Sequence, residues 1–202
     1  MTTETGEDYR DAVLPGVRWS DRRFVGCAFV EADLRGMVTS GCTFEDCDFT
    51  RADLGESRHT STAFRNCLFR RATLTDSAFT ACSLLGSTFV EARFRPWTIT
   101  DSDLTLASLT EADLRDTDLS GLRLRETNLM GADLRKTDLR GADLRGARLQ
   151  DARFDGADLR GARLDATGLT HGKLAGALVD LDTAIAFAAA HGLRVGSADQ
   201  TA

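Results

Sequence analysis

The chain has 202 residues, of which 42% are hydrophobic and 28% charged, and its formal net charge at pH 7 is −6. This composition excludes a disordered or fibrous chain, and no apolar run is long enough to predict a membrane span. The acidic balance argues against direct nucleic-acid binding, because a protein that grips the phosphate backbone usually has a basic surface.

Residues 1–11 read MTTETGEDYRD and contain four acids and one base. A secretory signal would show basic residues followed by an apolar run, so this start predicts a cytoplasmic protein. The segment has too few apolar side chains for a firm cap, and we expect a flexible N-terminal tail.

Residues 12–176 follow a period of five. From Leu14 to Leu174, every residue whose number ends in 4 or 9 is Leu, Phe, Ile or Trp, except Thr39 and His59. Two places earlier the chain has Ala, Cys, Ser, Thr or Gly at 28 of 33 positions. A helix has a period of 3.6 and a strand a period of 2. One small and one large inward residue in every five therefore predict a chain that turns after each unit.

This unit, small–polar–Leu/Phe–polar–polar/Gly, resembles the pentapeptide repeat family, whose motif is A(D/N)LXX. The resemblance covers residues 12–176 and implies an all-β solenoid, a right-handed quadrilateral β-helix with four units per coil. The period alone indicates only a repeated turn. Stacked at the usual strand spacing of about 4.8 Å, about eight such coils would form a rod about 40 Å long. Residues twenty apart would then stack, so the core would change from phenylalanine to leucine along the rod.

Two irregular units, MVTSG and SRHTS, place Thr39 and His59 one coil apart at central positions. We expect a locally loosened side there, with His59 half exposed or bonded to a carbonyl. The functional alternative is a binding blemish on the surface of the rod.

The stretch RFRPWTIT interrupts the repeat a second time. Pro96 lacks a backbone donor where stacked coils need one, and Trp97 is too large for the small inward position. The sequence predicts a local bulge or bend, and it leaves open whether the Arg95–Pro96 bond is cis.

All five cysteines occupy the small inward position, which predicts buried packing residues. A metal site needs converging ligands, and an odd number of cysteines in a cytoplasmic protein argues against a disulfide set. The three histidines lie far apart in the register, and neither a nucleophile–base pattern nor a Gly-rich phosphate loop occurs. We therefore predict a protein that is not an enzyme and holds no cofactor or metal. The cysteines are Cys27, Cys42, Cys47, Cys67 and Cys82.

Residues 177–202 begin ALVDLDTAIAFAAAHGLRVG and predict a helical cap. Asp180 or Asp182 suits the helix N-cap, the alanines favour helix, and Gly192 suits the position after its end. A solenoid edge must be covered, so a simple cap is one interpretation. The apolar content favours a cap that also forms a homodimer. The predicted interface residues are Leu181, Ile185, Phe187 and Leu193.

Three stretches resemble one group within this family: DTAIAFAAAHGL in the cap, AFRNC at 63–67 and LRLRET at 122–127. They are similar to the mycobacterial fluoroquinolone-resistance pentapeptide proteins. The resemblance implies a DNA mimic that binds DNA gyrase, a type II topoisomerase, inhibits it and relieves its poisoning by fluoroquinolones or a related compound. It also implies that the C-terminal element pairs two rods end to end.

Charge supports the DNA-mimic interpretation only weakly. Residues 1–11 and 177–202 carry net charges of −3 and −2, which leaves −1 for the repeat region. A mimic of DNA would then need its acids clustered, and Arg93 and Arg95 interrupt the best cluster. The alternatives are that these acids are ordinary surface and that the rod is a general protein-interaction scaffold. The gyrase-contact candidates are Asp53, Glu56, Asp76, Asp113 and Asp116.

Overall fold

A computed structural model describes residues 2–196, which form the predicted four-sided β-solenoid and a small C-terminal helix. Regular strands occur on two sides of the first coils, in parallel sheets of order β1-β3-β5-β7 and β2-β4-β6-β8-β9. The strands are β1 (Thr2–Thr5), β2 (Arg18–Ser20), β3 (Arg22–Val25), β4 (Val38–Ser40), β5 (Thr43–Glu45), β6 (Arg58–Thr60), β7 (Ala63–Arg65), β8 (Ser77–Thr80) and β9 (Trp97–Thr100). The helices are α1 (Ala166–Leu169) and α2 (Leu181–Ala190).

Backbone pairing joins residues twenty apart on all four sides of the solenoid, which confirms four pentapeptides per coil. Beyond the regular strands, isolated parallel bridges continue the stack, the last of them pairing Asp158 with Leu178. One unbroken column spans about eight coils. It runs through Thr3, Arg23, Thr43, Ala63, Ser83, Asp103, Arg123, Asp143 and Arg163.

The core is a stack of rings that gives way to leucines, as the register predicts. The rings of Phe29, Phe49 and Phe69 lie parallel, with centroids 4.8 and 4.9 Å apart, while Leu109 and Leu129 continue their column fully buried. All five cysteines are buried and free, so they act as small packing residues beside these columns.

The N-terminal residues differ from the expected flexible tail, because the first coil already begins at Thr2. Strand β1 pairs with β3 from Thr2 opposite Arg22 to Thr5 opposite Val25, and the Tyr9 ring stacks on Phe29 at 4.8 Å. The Glu4 carboxylate accepts hydrogen bonds from Tyr9 and Arg22. Backbone pairing and one aromatic ring thus replace the apolar side chains that this segment lacks.

His59 is also unlike its prediction, since only 1% of its surface is exposed and its ring bonds to side chains instead of a carbonyl. Its Nδ1 lies 2.7 Å from the Thr39 hydroxyl and its Nε2 lies 2.9 Å from the Ser57 hydroxyl. The Thr39 hydroxyl also lies 2.9 Å from that of Thr62, which donates to the Thr60 carbonyl. Thr39 and His59 therefore hydrogen-bond to each other inside the core, and neither side chain contributes to the exposed surface.

The ladder of bridges is interrupted beside Pro96, where the sequence predicts a local bulge or bend, and the Arg95–Pro96 bond is cis. Within residues 2–196, no bridge pairs Arg93 with Asp113 or Thr98 with Asp118, although the columns resume above them. A hollow of about 270 Å³ lies beside this break and is lined in part by Phe94, Arg95 and Asp113.

The C-terminal cap has the predicted helix and one unpredicted turn. Asp180 is the N-cap of α2 and accepts a hydrogen bond from the Thr183 amide at 3.0 Å, while Gly192 follows the helix with a φ of +79°. The short helix α1 replaces one side of the last coil, within residues expected to be regular repeat. None of the helices within residues 2–196 has the length and apolar character needed to cross a bilayer.

Candidate partner-binding surface

Asp–Arg pairs two residues apart lie on the flat sides of the solenoid, most of them in its second half. In each ADLR unit the Asp and Arg side chains lean together, with Nη2–Oδ2 distances such as 2.6 Å for Asp143–Arg145 and for Asp158–Arg160. The hydrogen-bonded guanidinium lowers the pKa of both carboxyls to about 2. Within each such pair the two charges lie beside each other, but the flat positions of residues 12–176 carry 20 basic and 13 acidic residues, a net charge of +7.

The corners of the coils, at residue numbers ending in 1 or 6, carry a different charge. Their backbone has a positive φ, which Gly adopts most readily, yet nineteen of these positions have other residues. Twelve of the nineteen are Asp or Glu and three are Arg or Lys. The structure therefore segregates charge, with acids concentrated along the four edges of a nearly neutral rod.

Most corner acids have no ion-pair partner. Three are paired: Glu31 with Arg51, Glu91 with Arg71, and Asp116 with Arg95. In the part of the chain that the structure describes, the other nine lie more than 4.0 Å from any cationic nitrogen. These nine are Asp11, Asp21, Asp46, Glu56, Asp76, Asp101, Glu111, Glu126 and Asp151. Counting charge at positions ending in 1 and 6 would have found this pattern in the sequence.

The predicted gyrase contacts fall into two groups on one side of the rod. Asp53 and Asp113 occupy the flat side, whereas Glu56, Asp76 and Asp116 occupy its corner, in register at twenty-residue steps. Between residues 2 and 196, no ion pair involves the carboxylates of Glu56 and Asp76. These two side chains are therefore the free acids of the predicted cluster.

Arginine side chains contact the other three acids of the predicted cluster. Asp113 lies 2.6 Å from Arg115 and 3.5 Å from Arg95, and the bond to Arg115 lowers the pKa of Asp113 to about 2. Arg95 also holds Asp116 at 3.1 Å. The predicted interruption by Arg95 is thus a set of direct contacts, whereas Arg93 forms no ion pair within the described residues and Arg115 was not predicted.

The Arg35 Nε lies 3.8 Å from Asp53. Arg58 lies beside the free acids, since its Nη1 donates to the backbone carbonyls of Glu56 and Asp76. The side chains of Glu56 and Asp76 remain available above this guanidinium.

The predicted dimer residues lie at the C-terminal end, but they do not all face outward. Leu181, Ile185 and Leu193 are 74, 40 and 64% exposed. Phe187 is partly buried against the core and lines a hollow of about 190 Å³ between α2 and the last coil. Leu178 and Val195, which were not among the predicted interface residues, add to the exposed apolar surface.

His59 and the five cysteines are enclosed in the core. Burial raises the pKa of the Cys67 and Cys82 thiols and lowers the pKa of His59 to about 3. Among residues 2–196, no group of three or more His, Cys, Asp or Glu side chains is arranged to hold a metal ion.

Sequence profiles agree with the geometry. A profile of the pentapeptide repeat region matches residues 72–149, and a profile of eight pentapeptide repeats matches residues 24–58 and 142–178. The chain belongs to the pentapeptide repeat family. Comparison with curated protein sequences gave no significant match.

Solved structures show the same fold over nearly the whole chain. Full-length QnrB1, a plasmid-mediated fluoroquinolone resistance protein, is 24% identical with a TM-score of 0.84, over 95% of this chain and 98% of QnrB1. A trypsin-treated QnrB1 variant is 25% identical with a TM-score of 0.66, over 96 and 98% of the two chains. HetL from the cyanobacterium Nostoc, involved in heterocyst differentiation regulation, is 26% identical with a TM-score of 0.69, over 89 and 84%.

Proposed function

We propose that the protein binds DNA gyrase as a DNA mimic, modulates its activity and confers resistance to fluoroquinolones or a related gyrase poison. The rows of free carboxylates along the edges of the rod carry this proposal. The description of QnrB1 as a fluoroquinolone resistance protein supplies the class of drug.

The unpaired corner acids make the edges of the rod negatively charged, although the net charge of the repeat region is only −1. Duplex DNA carries one negative charge per about 1.7 Å of its axis, and a rod of about eight coils is about 40 Å long. Nine unpaired corner acids over that length give fewer charges than DNA, but they project from the edges. A cationic groove would attract these edges within about 10 Å, the Debye length at 0.1 M salt.

The exposed apolar surface at the C-terminal end supports a homodimer formed through the cap. Leu178, Leu181, Ile185, Leu193 and Val195 expose their side chains at this end. A second copy placed against them would cover this apolar surface and would join two rods end to end. The joined rods would be about 80–100 Å long including the caps, from twice the stacked length.

A gyrase supercoiling assay with and without ciprofloxacin tests the proposal. We expect the protein to inhibit supercoiling and to reduce drug-stabilised cleavage at micromolar concentration. Glu56→Gln with Asp76→Asn should raise the concentration for half-inhibition at least fivefold, because these are the free acids of the predicted cluster. The matched control is Asp138→Asn with Arg140→Gln, which removes a flat-side pair at 2.5 Å without changing the net charge.

A protein-interaction scaffold with another partner is the second candidate. HetL has the same fold over most of this chain and is described as a developmental regulator, so the solenoid serves more than one role. Neither inhibition nor protection of gyrase at micromolar concentration would contradict the gyrase proposal and favour the scaffold.

A further inference from the structure

One level of the solenoid lacks the backbone hydrogen bonds that join its neighbours. Residues 91–101 face residues 111–121 across this level, which we call the open seam. Within the described chain, six amides at the open seam donate to no backbone or side-chain acceptor, whereas their equivalents in the coils directly below and above are bonded. They belong to Glu91, Phe94, Ile99, Asp101, Asp113 and Asp118.

The next coil shows what the open seam lacks. The equivalent amides one coil later all bond to a neighbouring coil at 2.8–3.1 Å. They belong to Glu111, Leu114, Leu119, Gly121, Asp133 and Asp138. The loss is confined to two consecutive sides of one level, so it is a local feature of the stack.

Two residues account for the separation. Trp97 occupies an inward position that usually has Ala, Cys, Ser or Thr, and its ring contacts Phe94, with centroids 4.9 Å apart. Its indole is 6% exposed, and its Nε1 is buried with no hydrogen-bond partner. Pro96 occupies a corner where other residues donate an amide upward, as Asp116 does to the Arg135 carbonyl at 3.0 Å. The bulk of Trp97 and the missing donor at Pro96 both oppose closure.

The other two sides of the same level remain joined. Ser83 pairs with Asp103 on one of these sides, and Thr88 pairs with Ser108 on the other. On the open sides the levels are connected by side chains, because Arg95 reaches across to Asp113 and Asp116. One pair of sides is therefore held by backbone bonds and the opposite pair by ion pairs and core packing.

We propose that the open seam is a flexible joint between two rigid stacks of coils. Its axis runs along the joined sides, and the rod bends as the open sides separate or approach. Bending at this level breaks no ladder hydrogen bonds on the open sides, whereas bending at a neighbouring level would. The joint lets the rod adjust its curvature to a partner's surface, and it does not depend on which partner binds.

Residue-resolved amide hydrogen exchange, measured by NMR on the full chain, tests the joint. Each of the six seam amides should exchange at least tenfold faster than its equivalent one coil later, since these amides have no ladder acceptors. Exchange rates within tenfold of the equivalents would overturn the proposal. This measurement uses the unaltered protein and so does not require any variant to fold.

A designed closure provides a second test. Pro96→Asp with Trp97→Ser restores a corner donor and a small inward residue, so the six amides should slow at least tenfold. The control is Leu122→Ser. Leu122 is another large residue at the small inward position, but its carbonyl accepts a hydrogen bond from the Asp143 amide at 2.9 Å, so the coils are joined there. The control should leave seam exchange unchanged. A folded closure variant that still exchanges as fast as the natural chain would contradict the assignment of the cause to Pro96 and Trp97.

Discussion

Lowering the pH should destabilise the protein through His59, before its carboxylates are protonated. The Thr62 hydroxyl donates to the Thr60 carbonyl, so Thr39 must donate to Thr62. His59 Nδ1–H then donates to Thr39, and Nε2 accepts from Ser57. This network assigns a neutral ring, and burial together with the Arg58 charge lowers the pKa of His59 to about 3.

The sign and size of the effect follow from proton linkage. Above the unfolded pKa of about 6.5, neither state binds a proton at His59 and the folded state has its full stability. Between pH 6.5 and 3 only the unfolded state is protonated, so the free energy of unfolding falls by about 1.4 kcal/mol per pH unit. From pH 7 to pH 5 the expected loss is about 2 kcal/mol.

Denaturant unfolding at pH 7 and pH 5 measures this loss, with His59→Gln as the control. Glutamine keeps hydrogen-bonding groups but does not titrate, so this variant should lose about 2 kcal/mol less than the natural chain. The pKa values of Asp113, Asp143 and Asp158 are lowered to about 2, so their contribution is lost only at more acidic pH. Equal losses in the two proteins would refute the reasoning, as would an NMR titration of His59 in the folded state with a pKa near 6.5.

Three further predictions concern the core, the cap and the proposed dimer. Phe49→Ala should lower the free energy of unfolding by about 3–5 kcal/mol, because Phe49 is fully buried between two stacked rings. In the same denaturation series the half-exposed control Leu68→Ala should lower it by about 0.5 kcal/mol. Equal losses in the two variants would contradict the core assignment. Asp180→Ala should speed amide hydrogen exchange at Thr183, because the Asp180 carboxylate accepts the hydrogen bond from that amide. Unchanged exchange would show that this helix cap is dispensable. Leu181→Asp should halve the mass measured by light scattering at micromolar concentration, whereas a monomeric natural chain would exclude the dimer.

The central positions were predictable because each of them must be filled in a closed stack. Phe24, Phe44 and Phe64 repeat every twenty residues, and their rings lie 4.8 and 4.9 Å apart. The cap was predictable for a similar reason, since Asp180 and the alanine run are local signals for a helix. These predictions needed only the register and local propensity.

His59 and the first residues were mispredicted because their partners are distant in sequence. The ring of His59 depends on Thr39, twenty residues earlier, for one of its hydrogen bonds. Strand β1 depends on β3 for its backbone pairs. Polarity alone indicated exposure in both places, but satisfied hydrogen bonds make burial acceptable.

The five acids of the predicted cluster lie along one side of the rod, but their spacing in the sequence did not reveal which of them are ion-paired. Sequence placed Asp113 and Asp116 beside Glu56 and Asp76 through the twenty-residue register. Only the side-chain conformations of Arg95 and Arg115 showed that Asp113 and Asp116 are paired, while Glu56 and Asp76 have no such partner among the described residues. Net charge per segment could not separate corners from flat sides.

The sequence by itself determined the period, the register, the identity of the core and the site of the Pro96 interruption, because each depends on residue size at fixed steps along the chain. The tertiary structure decided which charges cancel, which polar groups are satisfied inside and which sides of the coils part at the open seam. These properties depend on contacts between coils, where side chains twenty residues apart choose among several partners. Spacing along the chain cannot make that choice, because it depends on distances of a few ångströms between side chains.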